Sequence, residues 1–251
     1  MSISACIIYQ DDLKKLAKLL ESLRFCQEVL ILSSKNDKQN YCLYNPKIKF
    51  IYLNEEIQDF SKIRNEFHKF ATCDWLLHID SDERLTKPLI SEIETVVKQN
   101  NFEAFYIKRE DVFLNAKVKY GELYNASHKG FIRLYRKNSG TWKNNVHEVF
   151  ELNKGLKASY LKNNFTHLAH ESVSSFILKV NNYSTLRSIS ISNIYFSSNI
   201  ISIIFLPLIK FIYTFFFKLG FMDREVGFIY SFLMSFHSFL ARSKTYASSQ
   251  K

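Results

Sequence analysis

Trp75-Leu76-Leu77-His78-Ile79-Asp80-Ser81-Asp82-Glu83 is a short bulky run that ends abruptly in three acids within four positions. The run is too short for a helix of its own and is bounded by polar residues, so it reads as a buried β-strand. Acids gathered at its carboxyl end repel one another, and a divalent cation with oxygen ligands, Mg²⁺ or Mn²⁺, relieves that repulsion. A cation held there can bridge a nucleotide's phosphates and offset charge on a leaving diphosphate. The bland alternative makes one Asp a helix cap and leaves the others solvated. Placement directly after a buried strand argues against it.

Upstream of this run, strand and helix alternate. Residues 3–9 form an apolar strand, and Asp11 and Asp12 offer caps to a helix with Leu13, Leu16, Ala17, Leu20 and Leu23 on one face. Val29–Leu32 and Ile48–Leu53 read as further strands. A helix over 60–71 carries Phe60, Ile63, Phe67, Phe70 and Ala71 at helical spacing. Four alternations within 80 residues predict a mostly parallel sheet flanked by helices, an α/β fold. Ligands of such sheets bind beyond the carboxyl ends of the strands, which directs attention to the residues after Leu32 and after Ile79. Downstream, Pro88 suits the first turn of a helix through Ile93, Val96 and Val97. Strands are predicted at 104–107 and 131–135, with a polar loop region between them.

Composition narrows the class. The 251 residues are 47% hydrophobic, with 6 Gly and 3 Pro, which excludes disordered and collagen-like chains. A net charge of +10 calls for an acidic partner, and 23 Phe with 14 Tyr favour a membrane surface over a DNA groove. The four cysteines, Cys6, Cys26, Cys42 and Cys73, lack metal spacing. The amino terminus has neither a basic region nor a cleavable apolar stretch. Both observations point to reduced thiols and a cytoplasmic location.

Three segments in order carry a resemblance: Phe60-Ser-Lys-Ile-Arg64-Asn65, then Asp74 through Glu83, then Arg133-Leu134-Tyr135-Arg136 followed by Trp142 and Val146-His147-Glu148. Together they resemble family-2 glycosyltransferases of the GT-A fold, and most closely the branch that builds lipopolysaccharide or lipooligosaccharide cores. The resemblance spans most of residues 3–185. It implies a metal-dependent, inverting hexosyltransferase using a nucleotide-diphosphate sugar, with UDP-hexose the expected donor. By resemblance Asp82 is the direct metal ligand, and Asp80 reaches the metal or the ribose. Glu83 holds a sugar hydroxyl or orients the turn, and Arg64 anchors donor phosphate or the acidic turn. Asn65, Arg133 and Asp37 complete the donor-binding set. One position departs from the family: where an Asp usually ends the second strand, this chain has Leu32, although Asp37 matches.

Transfer needs a base for the acceptor hydroxyl. Glu148 beside His147 is the preferred candidate, because a carboxylate near an aromatic such as Trp142 can have a raised pKa. Asp111 is the second candidate. His167 and His170, spaced His-Leu-Ala-His, offer a late metal ligand, with His170 taken as the third member of the Asp80, Asp82 set.

The chain changes character near residue 193, so a catalytic domain over 1–190 and a helical membrane-associating extension over 191–251 are expected. Residues 195–217 hold enough apolar residues to span a membrane, but Asn199, Ser202, Pro207 and Lys210 interrupt them. Two amphipathic or re-entrant helices in the interface are the preferred reading, with Lys210, Lys218, Arg224, Arg242 and Lys244 toward anionic headgroups. Packing on the protein's own core, or a single span, are the alternatives. The enzyme is then expected at the cytoplasmic face of the inner membrane, peripheral or monotopic, acting on a lipid-linked glycan.

Three rivals were weighed. A haloacid-dehalogenase phosphatase also places Asp-x-Asp after a strand, but Arg84 stands where that family has Thr or Val. A nucleic-acid-binding protein would carry aromatic-basic motifs, which are absent from the sequence, so no nucleic acid partner is expected. A catalytically degenerate membrane scaffold is suggested by Leu32 and is separated from the enzyme by metal binding and turnover.

Overall fold

The computed structural model describes residues 2–9, 12–33, 45–53, 59–144, 148–170, 172–191 and 199–249. The chain forms two compact units, Met1–Arg109 with Lys129–His167, and Glu110–His128 with Leu168–Lys251. The expected boundary at residue 190 falls inside the second unit, because the preceding helix packs with the carboxyl-terminal ones.

In chain order the elements are β1 (Ile3–Tyr9), α1 (Leu13–Ser22), β2 (Glu28–Ser33), β3 (Ile48–Tyr52), α2 (Phe60–Phe70), β4 (Trp75–His78), β5 (Glu83–Leu85) and α3 (Lys87–Gln99). They continue with β6 (Ala104–Ile107), β7 (Arg109–Phe113), β8 (Ala116–Val118), α4 (Tyr124–His128), β9 (Phe131–Arg136), β10 (Gly140–Lys143), β11 (Val149–Leu152), β12 (Ala158–Tyr160) and β13 (Phe165–His170). Three long helices follow: α5 (Val173–Ile191), α6 (Ile200–Ile212) and α7 (Arg224–Ser249).

The first unit is built on a seven-stranded sheet in the order β12-β6-β9-β4-β1-β2-β3. β4 lies at its centre, parallel to β1 on one side and antiparallel to β9 on the other. The β1–β2, β2–β3 and β12–β6 pairs are also parallel, so the sheet is mostly parallel, as expected. Side chains alternate across a strand. Trp75, Leu77 and Ile79 accordingly face a core shared with Leu16 and Leu19 of α1 and Leu89 and Ile93 of α3. Leu76 faces the opposite core, with Ile63 and Phe67 of α2 and Trp142 and Phe150 of the β10–β11 hairpin. The second face therefore receives His78 and, one alternation later, Asp80. Helix starts follow their caps: Asp12 accepts from the Lys15 amide, Asp59 from Lys62 and Thr86 from Leu89.

In the second unit α7 packs against both α5 and α6. Apart from Leu233, its buried positions are small: Gly227, Ser231, Ser235, Ser238, Ala241 and Thr245. A Cβ on Gly227 would stand 2.0 Å from the Gly220 carbonyl oxygen, so only glycine permits that approach. The buried hydroxyls are satisfied: Ser235 donates to the Pro207 carbonyl at 2.8 Å, and Thr245 to the Ala241 and Ser188 carbonyls. The expected polar loop between β6 and β9 contains the β7–β8 hairpin and α4. That segment is tied to the turn after α6, where Asp223 accepts from the Lys119 and Tyr120 amides.

Candidate active site

At the carboxyl end of β4, Asp80 meets two buried arginines. Arg64 comes from α2, on the face that covers the second core, and donates from Nη2 to Asp80 Oδ1 at 3.1 Å. Its Nε donates to Glu148 Oε1 at 3.1 Å. Arg133, on β9, donates from Nη2 to Asp80 Oδ2 and to Glu83 Oε1, both at 3.1 Å. Because β9 runs antiparallel beside β4, its beginning comes level with the end of β4, which brings together residues 53 apart in sequence. The turn closes on itself, with the Glu83 amide donating to the Asp80 carbonyl and Glu83 Oε2 accepting from the Asp80 amide.

Two guanidiniums face three carboxylates here, which leaves one negative charge when all three are ionised. Burial opposes ionisation of Asp80, but Arg133 and Arg64 outweigh it and hold the carboxyl well below its usual range. Glu83 is almost fully buried and shares Arg133 with Asp80. Burial, opposed by Arg133 and helped by the Asp80 charge, pushes it up to about 7. Burial lowers the pKa of Arg133, but the surrounding carboxylates Glu83 and Asp80 more than reverse this and raise it. Arg133 lies against the Phe131 and Phe165 rings, and its buried Nε and Nη1 have no hydrogen-bond partner among the described residues.

A directional network supports Arg64 from behind. Arg64 Nη1 faces His78 Nδ1 at 3.4 Å. A guanidinium only donates, so Nδ1 is the acceptor and the His78 proton sits on Nε2, 2.8 Å from the Tyr135 hydroxyl. Trp142 Nε1 also donates to that hydroxyl, at 2.9 Å. With two donors already received, the Tyr135 hydrogen goes to His68 Nε2 at 3.0 Å. His78 is fully buried and held neutral, its pKa driven well below the ordinary value by burial and then by Arg64 and Arg133. The Trp142 ring also lies 4.9 Å from the Arg64 guanidinium. Asn65 pins the hairpin to α2 through two bonds with Trp142: its amide nitrogen donates to the Trp142 carbonyl, and its oxygen accepts from the Trp142 amide, each at 2.9 Å.

Asp82 lies on the turn itself, with Oδ2 3.4 Å from His167 Nε2. The antiparallel β5–β13 pairing creates this contact by setting His167 opposite Glu83. An oxygen and a nitrogen ligand, both partly exposed, suit Mn²⁺ or Mg²⁺ when phosphate oxygens and water complete the shell. Among the described residues no group of three or more His, Cys, Asp or Glu is arranged to hold a metal. Both Asp80 oxygens are already engaged by arginine.

The structure thus brings together Arg64, Asp80, Glu83, Arg133 and Glu148, with Asn65 close behind them. Asp111 is buried on β7 of the second unit, opposite Val118. Asp37 and His147 lie outside the described residues, as does the side chain of His170. Sequence reasoning passed over His78, Tyr135 and His68. The one available signal was His78, a polar residue inside an otherwise apolar strand.

No protein-family model matches the chain. S. aureus TarS (residues 1–349) in complex with UDP has a TM-score of 0.50 at 15% identity, covering 100% of this chain and 91% of that one. The same protein in complex with UDP-GlcNAc gives 0.49 at 16% identity, covering 99% of this chain and 83% of that one. The fold is that of GT-A glycosyltransferases. In sequence, a TPR repeat-containing protein of Synechococcus elongatus is 26% identical over 110 residues, 43% of this chain. The match spans only 27% of that curated relative's length.

Proposed function

We propose that this chain is a metal-dependent glycosyltransferase that moves a hexose from a nucleotide-diphosphate sugar, UDP-hexose by preference, to a lipid-linked glycan such as a lipooligosaccharide core. Its place of action is the cytoplasmic face of a membrane. The observation that supports this most is the acidic turn at the centre of a GT-A sheet. There Asp80 is clamped by Arg64 and Arg133, while Asp82 is left beside His167.

In this reading Asp82 and His167 hold Mg²⁺ or Mn²⁺, and the cation, when bound, neutralises charge on the departing diphosphate. His170 is the alternative late ligand. Asp80 is kept ionised and fixed by its two arginines, so it orients the turn and faces the donor's ribose. Among the described residues, the buried Nε and Nη1 of Arg133 at this end of the sheet have no partner, which suits an anionic oxygen of the donor. Glu148 takes the proton of the acceptor hydroxyl as that oxygen bonds to the anomeric carbon and the bond to phosphate breaks. Arg64 Nε orients Glu148 for this step. His147 is taken to help position the acceptor, and Asp111 is the alternative base.

The test is turnover of a panel of nucleotide sugars by the purified protein with Mn²⁺ or Mg²⁺, then with chelator, beside Asp82→Ala. Metal-dependent consumption of one donor, lost in the variant, supports the reading. Failure to bind any nucleotide in a metal-dependent way would overturn it and leave the scaffold.

A further inference from the structure

The stretch Ile200–Phe217 has a mean hydropathy of 2.2 over 18 residues, with 17% of it buried. At 1.5 Å per residue it is about 27 Å long, close to the thickness of a bilayer's hydrocarbon core. Length and composition therefore allow a crossing. The polar partners of the helix point elsewhere.

Helical spacing puts Ile201, Ile204, Phe205, Leu208 and Ile212 on one face, all exposed, with Phe216 continuing the stripe. Ile203, Pro207 and Thr214 form the opposite, buried side. Lys210 falls on that buried side, midway along the segment, and pairs with Glu122 at 3.3 Å. Glu122 belongs to a segment sewn to the end of the helix. The Gly121 amide donates to the Lys218 carbonyl at 2.9 Å, and Asp223 accepts from the Lys119 and Tyr120 amides. Lys117, Lys119, Glu122 and His128 of this segment are exposed. A crossing would carry that charged segment, tied to the helix by these bonds, into the hydrocarbon, where ionised groups are strongly disfavoured.

We infer that the helix lies along one leaflet, its Ile201–Leu208–Phe216 stripe at the acyl boundary of an anionic membrane, with the Glu122 segment on the water side. Phe228 and Phe232 of α7 extend the patch beside Phe211 and Phe215. At the turn, Phe217, Leu219, Phe221 and Met222 are exposed, and Lys218 and Arg224 flank them. Basic residues bracketing an apolar tip match anionic headgroups above acyl chains. This surface does not depend on the transfer chemistry.

The experiment places a nitroxide label, one at a time, at Ile201→Cys, Leu208→Cys and Phe216→Cys in full-length protein with Cys42→Ser. Immersion depth is read on vesicles of phosphatidylcholine with one third phosphatidylglycerol, without donor or acceptor. The expected result is three shallow labels within about 5 Å of one depth, because an in-plane helix has no axial depth gradient. A label at 208 lying roughly 10 Å deeper than both others would establish a crossing and overturn the inference. So would labels that stay aqueous while the protein fails to float with the vesicles. Dimerisation in that case would assign the patch to a second copy. Leu208→Glu should weaken vesicle binding by at least about tenfold, whereas Lys210→Met on the opposite side should leave it intact.

Discussion

Arg64 and Asp80 meet at 3.1 Å although one sits on a helix and the other 16 residues later at the end of a strand. Arg64 is 3% exposed, and the same guanidinium reaches Glu148 through a different nitrogen. Lysine offers one ammonium in place of a fork and cannot serve both carboxylates in this geometry. Arg64→Lys should lower activity by about a hundredfold or more. Arg64→Ala should also destabilise the protein by about 1–3 kcal/mol, since it takes a donor from two half-buried carboxylates, of which Asp80 keeps Arg133. Urea denaturation and turnover on the same preparations would check both values.

Asp82 and His167 are both partly exposed, at 23% and 16% of their side chains. Asp82→Asn and His167→Ala should each weaken Mn²⁺ binding at least about tenfold, read by the loss of free Mn²⁺ signal in electron paramagnetic resonance. Both should leave the melting temperature within a few degrees of wild type. Undiminished Mn²⁺ binding in both variants would remove these two residues from the metal site.

His78 gives the protein a pH signature. Its folded pKa lies well below the ordinary 6.5, so below that pH the unfolded chain takes up a proton that the fold refuses. Its contribution is complete above about pH 6.5 and is lost as pH falls, with a slope approaching ~1.4 kcal/mol per unit. Glu83 acts in the opposite sense. Its pKa rises from the ordinary 4.5 to about 7, so its contribution is present at low pH and is lost as pH rises through that window. The two partly cancel in the wild type between pH 5 and 7. Burial also holds His68 and His237 below the ordinary value, and their contributions are likewise lost as pH falls, so His78→Gln should lose less stability than the wild type from pH 7 to 5. Identical urea midpoints across that range for both proteins would refute this assignment.

Asn65→Ala removes both bonds that hold the β10–β11 hairpin to α2 and leaves two Trp142 backbone groups unpaired. A loss of about 1–3 kcal/mol is expected. If Glu148 is the base, kcat should fall while metal-dependent UDP binding stays within about threefold of wild type, because Asp82 and His167 are untouched. Equal losses in both would show that the hairpin also shapes the nucleotide site.

The amino-terminal half of the sheet could be read directly from the sequence. β1, β2 and β4 are buried along their whole length and largely apolar because both of their faces are covered, and α1 and α2 repeat at helical spacing. The strands after residue 108 were harder to see. β10 reads Gly-Thr-Trp-Lys and β12 reads Ala-Ser-Tyr, with no apolar run to mark them. The acidic turn was visible as the end of a buried strand, and the resemblance already offered Arg64 as an anchor for it. The Arg133 half of the clamp was not visible, because it depends on β9 lying antiparallel to β4, a pairing that leaves no local pattern. The contact between Asp82 and His167 likewise depends on the register of β13 against β5. His78 looked like strand filling, since the tautomer that matters is decided by Arg64, Tyr135 and Trp142, each on a different element.

Arg64 and Asn65 are neighbours on one helix, about 100° apart around its axis. One grips the acidic turn and the other grips the hairpin that leads to Glu148. The helix therefore works as a common jig: the two halves of the site are referenced to a single rigid part and not to each other. A one-residue slip of that helix would swing both grips out of reach together, so misassembled chains should fail completely instead of surviving with a blurred geometry.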